Sequence, residues 1–172
     1  GQSYPSGWGD WCNESQARPL PGVLEFLLKA EQMGVKIFYV TNRKYEYEKG
    51  TLENFKKFGI PIEGDEDSLL MRYENGWDSN KTSRRELIAK NHRVIFQIGD
   101  NLGDFVDLSL SHQSPEKRAE VVTEFNDMWG KYWFMIENPT YGDWEGALYK
   151  FNFDRSNREI IQIRNKKLDE AR

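Results

Sequence analysis

The apolar run Arg93-Val94-Ile95-Phe96-Gln97-Ile98 leads straight into Gly99-Asp100-Asn101-Leu102-Gly103-Asp104, and no other stretch constrains the fold as much. A β-rich run that stops at a glycine and two carboxylates places hard oxygen ligands at the C-terminal end of a strand. Ligands of open α/β sheets bind at that edge. Gly99 is expected to let the chain leave the strand in a tight conformation. Asp100 is then placed to hold a cation such as Mg²⁺. The competing reading is a capped surface loop, because aspartates are frequent turn residues.

The rest of the chain alternates helical and β-rich segments. Residues 1–22, rich in Gly, Pro, Ser and Trp, read as an ordered loop with aromatic anchors. Pro21 suits a first helical turn, Val23, Leu24, Phe26, Leu27, Leu28 and Ala30 give the helix an apolar face, and Gly34 stops it. Val35–Val40 reads as a strand. A helix follows from about Tyr47 to Phe58, with Leu52, Phe55 and Phe58 on one side, and then a short strand at Leu69-Leu70-Met71. Asn80–Asn91 is a predicted helix with Leu87 and Ile88 inward, and Arg93–Ile98 the next strand. A helix over Pro115–Trp129, a strand over Tyr132–Ile136 and an amphipathic helix over Asn157–Arg172 (Ile160, Ile161, Ile163, Leu168) complete the pattern.

Such alternation predicts an α/β fold, a Rossmann-like three-layer parallel sheet, in one domain over residues 1–172. A doubly wound sheet needs a central strand between those ending at Thr41 and Asp100, and no apolar strand precedes residue 22. The expectation is a sheet missing its first central strand. A chain opening on Gly1-Gln2-Ser3 rather than Met reads as processed or truncated.

A net charge of -4 with 30% charged residues argues against a broad basic surface, and so against a nucleic acid polymer as partner. Small anions remain open to local Lys and Arg groups. Cys12 is the sole cysteine, which excludes an intrachain disulfide and a Cys-based zinc site. No apolar run is long enough for a transmembrane segment, and no secretory signal is visible. Six Trp in so polar a chain suggest rings lining a pocket as well as a core. His92 and His112 lack metal-ligand spacing and read as surface residues.

Three further positions stand where such sheets handle phosphate. Thr41 offers a hydroxyl and backbone N–H groups at a strand tip, and Lys81 offers a cation at a helix start that itself favours anions. Asp100 and Asp104 would hold the metal that neutralises phosphoryl charge. This order resembles motifs two, three and four of the haloacid-dehalogenase superfamily. Four segments, Phe38–Lys44, Asp78–Arg85, Gly99–Phe105 and Asn138–Gly146, look like the class C acid phosphatases, the bacterial lipoprotein e-like 5′-nucleotidases. The similarity runs from Trp8 to about Leu148.

The resemblance implies a Mg²⁺-dependent, acid-active phosphomonoesterase acting on nucleoside 5′-monophosphates. It also implies the bacterial cell envelope (periplasm or outer membrane, often through a lipid anchor) or secretion as location. By resemblance Asp100 is a metal ligand, Asp104 the second acid supporting the metal shell, and Lys81 the contact to phosphate and nucleophile. Thr41 and Asn42 map to the phosphate-binding strand tip. Trp8 and Trp11, at i and i+3, would share one side of a turn or helix. Trp8 and Tyr141 map to the two aromatics that stack on the substrate's base.

One departure stands out. The family's first motif, Asp-x-Asp-x-Thr, carries the nucleophile and the general acid/base, and it does not occur in these residues. Asp65-Glu66-Asp67-Ser68 has an Asp-x-Asp pattern, but no buried strand leads into it and it falls between motifs two and three. The 172-residue chain is therefore expected to be inactive by itself. The alternative is a catalytically dead remnant that binds nucleotide or serves as a surface antigen. A homo-oligomer is compatible with either reading.

Overall fold

The computed structural model describes residues 6–62, 64 and 66–170, the last two by backbone alone. The backbone divides into two compact units. Of the described residues, one unit holds those up to Ser79 together with Ser83–Ile88, and the other holds Asn80–Thr82 and those from Ala89 on.

The first unit contains α1 (Trp8–Asn13), α2 (Val23–Gln32), β1 (Tyr39–Lys44), α3 (Glu48–Phe58), β2 (Leu69–Arg72) and the middle of α4 (Thr82–Asn91). β1 and β2 run parallel, with Tyr39 opposite Leu69 and Val40 opposite Leu70, and an irregularity before Lys44 meets Arg72. Leu69, Leu70 and Met71 are all buried, as a short apolar strand covered on both faces should be. β1 begins four residues later than Val35 because its ladder extends only as far as β2 offers partners.

The expectations for the first segment and for α3 are corrected together. The segment read as a loop contains α1, and α3 buries Gly50, Thr51 and Asn54 rather than Leu52. The two facts have one cause. A Cβ at Gly50 would lie 2.7 Å from the Cys12 carbonyl oxygen, so the absent side chain is what admits α1. Ser15 Oγ then donates to the Gly50 carbonyl at 2.8 Å and Asn54 Nδ2 to the Ala17 carbonyl at 2.9 Å. Helix α2 starts after Gly22 and ends before Gly34, both at positive φ, with Pro21 just outside it. In α4, of the expected inward pair Leu87 faces solvent and Ile88 is half-buried, while the fully buried residue is Arg84.

The second unit contains β3 (Gln97–Gly99), α5 (Leu108–Ser111), α6 (Pro115–Glu124), β4 (Trp133–Met135), α7 (Asp143–Leu148) and α8 (Asn157–Glu170). β3 and β4 are parallel, with Gln97, Ile98 and Gly99 opposite Trp133, Phe134 and Met135. The core is Leu102, Phe105, Val106, Val121 and Trp133, with Phe125, Met128 and Trp129 against it. Ser114 caps α6 and Pro115 fills its first turn. The helix stops at Glu124, short of the expected Trp129, and the turn beyond it brings the Trp129 ring 5.0 Å from Phe105 and 5.2 Å from Trp133. That ring packs, half-buried, against the core. The architecture is α/β with parallel strands, as the alternation predicts, carried on two small two-stranded ladders.

Candidate active site

In the second unit the residues after β3 alternate between core and surface. Leu102, Phe105 and Val106 go into the core, which anchors the turn and leaves the Asp100 carboxylate exposed. Asp104 folds back over the turn. Its Oδ2 accepts the backbone N–H groups of Asp100 and Asn101, both at 3.0 Å, and Asn101 caps in return. Its Oδ1 accepts Lys81 Nζ at 2.6 Å, with the two side chains only 17% and 13% exposed. A charge-assisted contact this short and this shielded holds the lysine in one place.

Gly99 serves this arrangement in an unexpected way. Its φ is not in the positive range, so left-handed freedom is not the reason for glycine. A Cβ at Gly99 would stand 2.5 Å from Asp104 Cβ and Oδ2. The glycine makes room for the carboxylate.

Asn138, which the motif reading passed over as a side chain, ties the last segment to this turn. Its Nδ2 donates to Asp100 Oδ2 at 2.7 Å, and its Oδ1 accepts the N–H groups of Thr140 at 3.1 Å and Tyr141 at 3.3 Å. Tyr141 itself is exposed. Asp107 accepts Asn80 Nδ2 at 2.7 Å and Thr82 Oγ1 at 3.1 Å, and its other oxygen accepts the Ser109 N–H at 2.8 Å. The Asn80 bond first, then those from Ser109, with Thr82 contributing least, hold the Asp107 carboxyl well below the usual carboxylate range. His112 is less simple than a surface residue: it lies 3.2 Å from an Asp143 oxygen and stacks on Phe151 at 4.6 Å.

Thr41, Asn42 and Trp8 belong to the first unit. The tip of β1 is organised by Arg84, which is fully buried. One guanidinium nitrogen donates to the Thr41 carbonyl at 2.6 Å, the other to Asn42 Oδ1 at 2.8 Å and to the Asp78 carbonyl at 3.0 Å. The Asn42 amide then donates to the Ser79 carbonyl at 3.0 Å, and Thr41 Oγ1 accepts the Arg43 N–H at 3.1 Å. Burial pushes the Arg84 pKa down and the nearby Asp78 charge opposes that. The sequence did hold a signal for Arg84: the first turn of α4, Thr82-Ser83-Arg84-Arg85, has no apolar residue to bury. Trp8 and Trp11 do share one side of α1, stacked at 5.0 Å, with the Arg43 guanidinium 5.9 Å and 5.3 Å from their ring centres.

Asp67 Oδ1 accepts the Leu69 N–H at 3.1 Å, a local turn at the start of β2, and Asp65 lies outside the described residues. Among the described residues no three His, Cys, Asp or Glu side chains are grouped to hold a metal ion. No helix among them is long and apolar enough to cross a membrane.

Residues 1–144 match the sequence model of the HAD superfamily, subfamily IIIB (acid phosphatase). The chain belongs to this acid phosphatase family. Solved structures agree with that placement. The class C acid phosphatase from Bacillus anthracis is 36% identical with a TM-score of 0.85, over 96% of this chain and 67% of that one. A crystal structure of the class C acid phosphatase from the same organism with tungstate bound is 36% identical with a TM-score of 0.86, over 96% and 68%.

Proposed function

We propose that these residues form the phosphate- and metal-binding part of a Mg²⁺-dependent phosphomonoesterase acting on nucleoside 5′-monophosphates. The observation that carries the reading is the Lys81–Asp104 pair locked onto the Asp100 turn. Only one of the three N–H groups of Lys81 goes to Asp104, so the ammonium can also donate to a phosphoryl oxygen. Donors fixed in advance stabilise developing charge without reorganisation at the moment of reaction. The tungstate held by the Bacillus anthracis relative is a phosphate-like oxyanion, which supports an anion site in this family.

The donor set suits a hard cation. Asp100 is exposed, with Oδ2 steadied by Asn138, while both oxygens of Asp104 already accept hydrogen bonds. Mg²⁺ is commonly held by one or two carboxylates plus waters. Asp100 would therefore be the direct ligand, with Asp104 orienting it through the backbone. When bound, Mg²⁺ neutralises phosphoryl charge. Trp8 and Tyr141 are the aromatics assigned to the base by resemblance. The aspartyl-phosphate of the family's reaction requires an Asp-x-Asp-x-Thr motif, so the reading here concerns binding.

Titration calorimetry and Trp fluorescence test it on the chain itself. Asp100→Asn should lose the Mg²⁺ response, and Lys81→Ala should keep it while losing adenosine 5′-monophosphate. That nucleotide should quench Trp fluorescence more than ribose 5-phosphate does, a difference that Trp8→Ala abolishes. An unchanged Mg²⁺ response in Asp100→Asn removes Asp100 from the metal role, and equal quenching by both ligands removes the base contact.

A further inference from the structure

Lys81 is a long, flexible side chain, and its contact with Asp104 fixes only the ammonium. What fixes the other end is Asp107. Asn80 and Thr82 flank Lys81, and their side chains both donate to the same Asp107 oxygen, at 2.7 Å and 3.1 Å. The tripeptide is also closed on itself, since Asn80 Oδ1 accepts the Thr82 N–H at 3.0 Å. Asp107 is held in turn by capping α5, through the Ser109 N–H at 2.8 Å. Leu102, Phe105 and Val106 anchor the intervening segment in the core. Two carboxylates three residues apart on one anchored segment therefore grip the lysine segment, Asp104 at the ammonium and Asp107 at the side chains of the residues on either side.

We propose that Asp107 is a positioning residue for Lys81, setting where its ammonium is presented to a phosphate. The proposal rests on the reading that Lys81 contacts phosphate. Asp107 acts on its neighbours' side chains and need not touch substrate. The pair of hydrogen bonds to the fixed Asp107 carboxylate removes freedom that Lys81 would otherwise lose on binding the anion.

The test uses the 172-residue chain with Mg²⁺ present and orthophosphate as the probe. Calorimetry compares wild type, Lys81→Ala, Asp107→Ala and the double variant, with thermal melts recording folding. Asp107→Ala should weaken orthophosphate about tenfold, Lys81→Ala at least as much, and the double variant no more than Lys81→Ala alone. A merely structural role would not produce that non-additivity. Wild-type affinity in Asp107→Ala overturns the proposal, and so do losses that multiply in the double variant. Should Asp107→Ala fail to fold, Thr82→Val removes one of the two donors and should weaken orthophosphate about threefold; no change there overturns the proposal equally.

If Lys81→Ala binds orthophosphate as wild type does, the phosphate reading of Lys81 fails instead. The positioning then stands or falls on NMR of the Lys81 ε-methylene. Its order should drop in Asp107→Ala, or in Thr82→Val where that is the variant that folds, and unchanged order overturns the proposal.

Discussion

An alanine at position 99 should disrupt the Asp104 arrangement while changing no group that contacts metal or anion. The new Cβ would sit 2.5 Å from Asp104 Cβ and Oδ2 and 2.8 Å from Cγ, where carbon contacts ordinarily lie at about 3.5–4.0 Å. Asp104 cannot simply retreat, because Lys81 holds one oxygen and two backbone N–H groups hold the other. Either β3 shifts against β4, an overpacking cost of about 1–3 kcal/mol, or Asp104 leaves its donors, at about 1.5–3 kcal/mol for each bond to a charged group. The cheaper route costs about 1–3 kcal/mol. At about 2–4 °C per kcal/mol for a chain of this length, Gly99→Ala should lower the melting temperature by about 2–12 °C. Thermal and denaturant unfolding followed by circular dichroism measure this. The same substitution in an Asp104→Gly background, where the colliding atoms are gone, should cost under about 1 kcal/mol, as expected for coupled neighbours. A melting temperature within about 2 °C of wild type, or an equal loss in both backgrounds, would refute the steric argument.

Arg84→Lys should destabilise the chain by about 2–4 kcal/mol in urea unfolding, because a lysine cannot span the Thr41, Asn42 and Asp78 oxygens that the buried guanidinium fork reaches. Asp107 predicts a pH dependence. Its carboxyl is held below the ordinary 3.8, so the stability it contributes is complete above about pH 4 and is lost as pH falls towards the folded-state value. The gap in melting temperature between wild type and Asp107→Asn should therefore be constant from about pH 5 upward and close below pH 4; a gap that widens in acid would contradict the assignment.

Much of this protein was determined by local sequence. Turn chemistry set the ends of α2 and α3, since Gly34 and Gly59 take the left-handed positions beyond them. The apolar triplet Leu69-Leu70-Met71 was legible as a strand because every residue in it is buried. The motif residues Thr41, Lys81, Asp100 and Asp104 were legible because residue type and order along the chain carry them. What holds those residues in place was decided by tertiary structure. Arg84 reaches acceptors up to 43 residues away, Asn138 meets Asp100 across 38, and Asp107 meets Asn80 across 27. No helical or β period links positions so far apart. The same physics misled the reading of α3, where Gly50, Thr51 and Asn54 are inward because the turn of chain after α1 needs a flat, hydrogen-bonding face, and hydrophobicity alone does not report that need. At Gly99 the residue was legible and its reason was not: a glycine required for space is indistinguishable in sequence from one required for its φ, until the neighbour that occupies the space is in place.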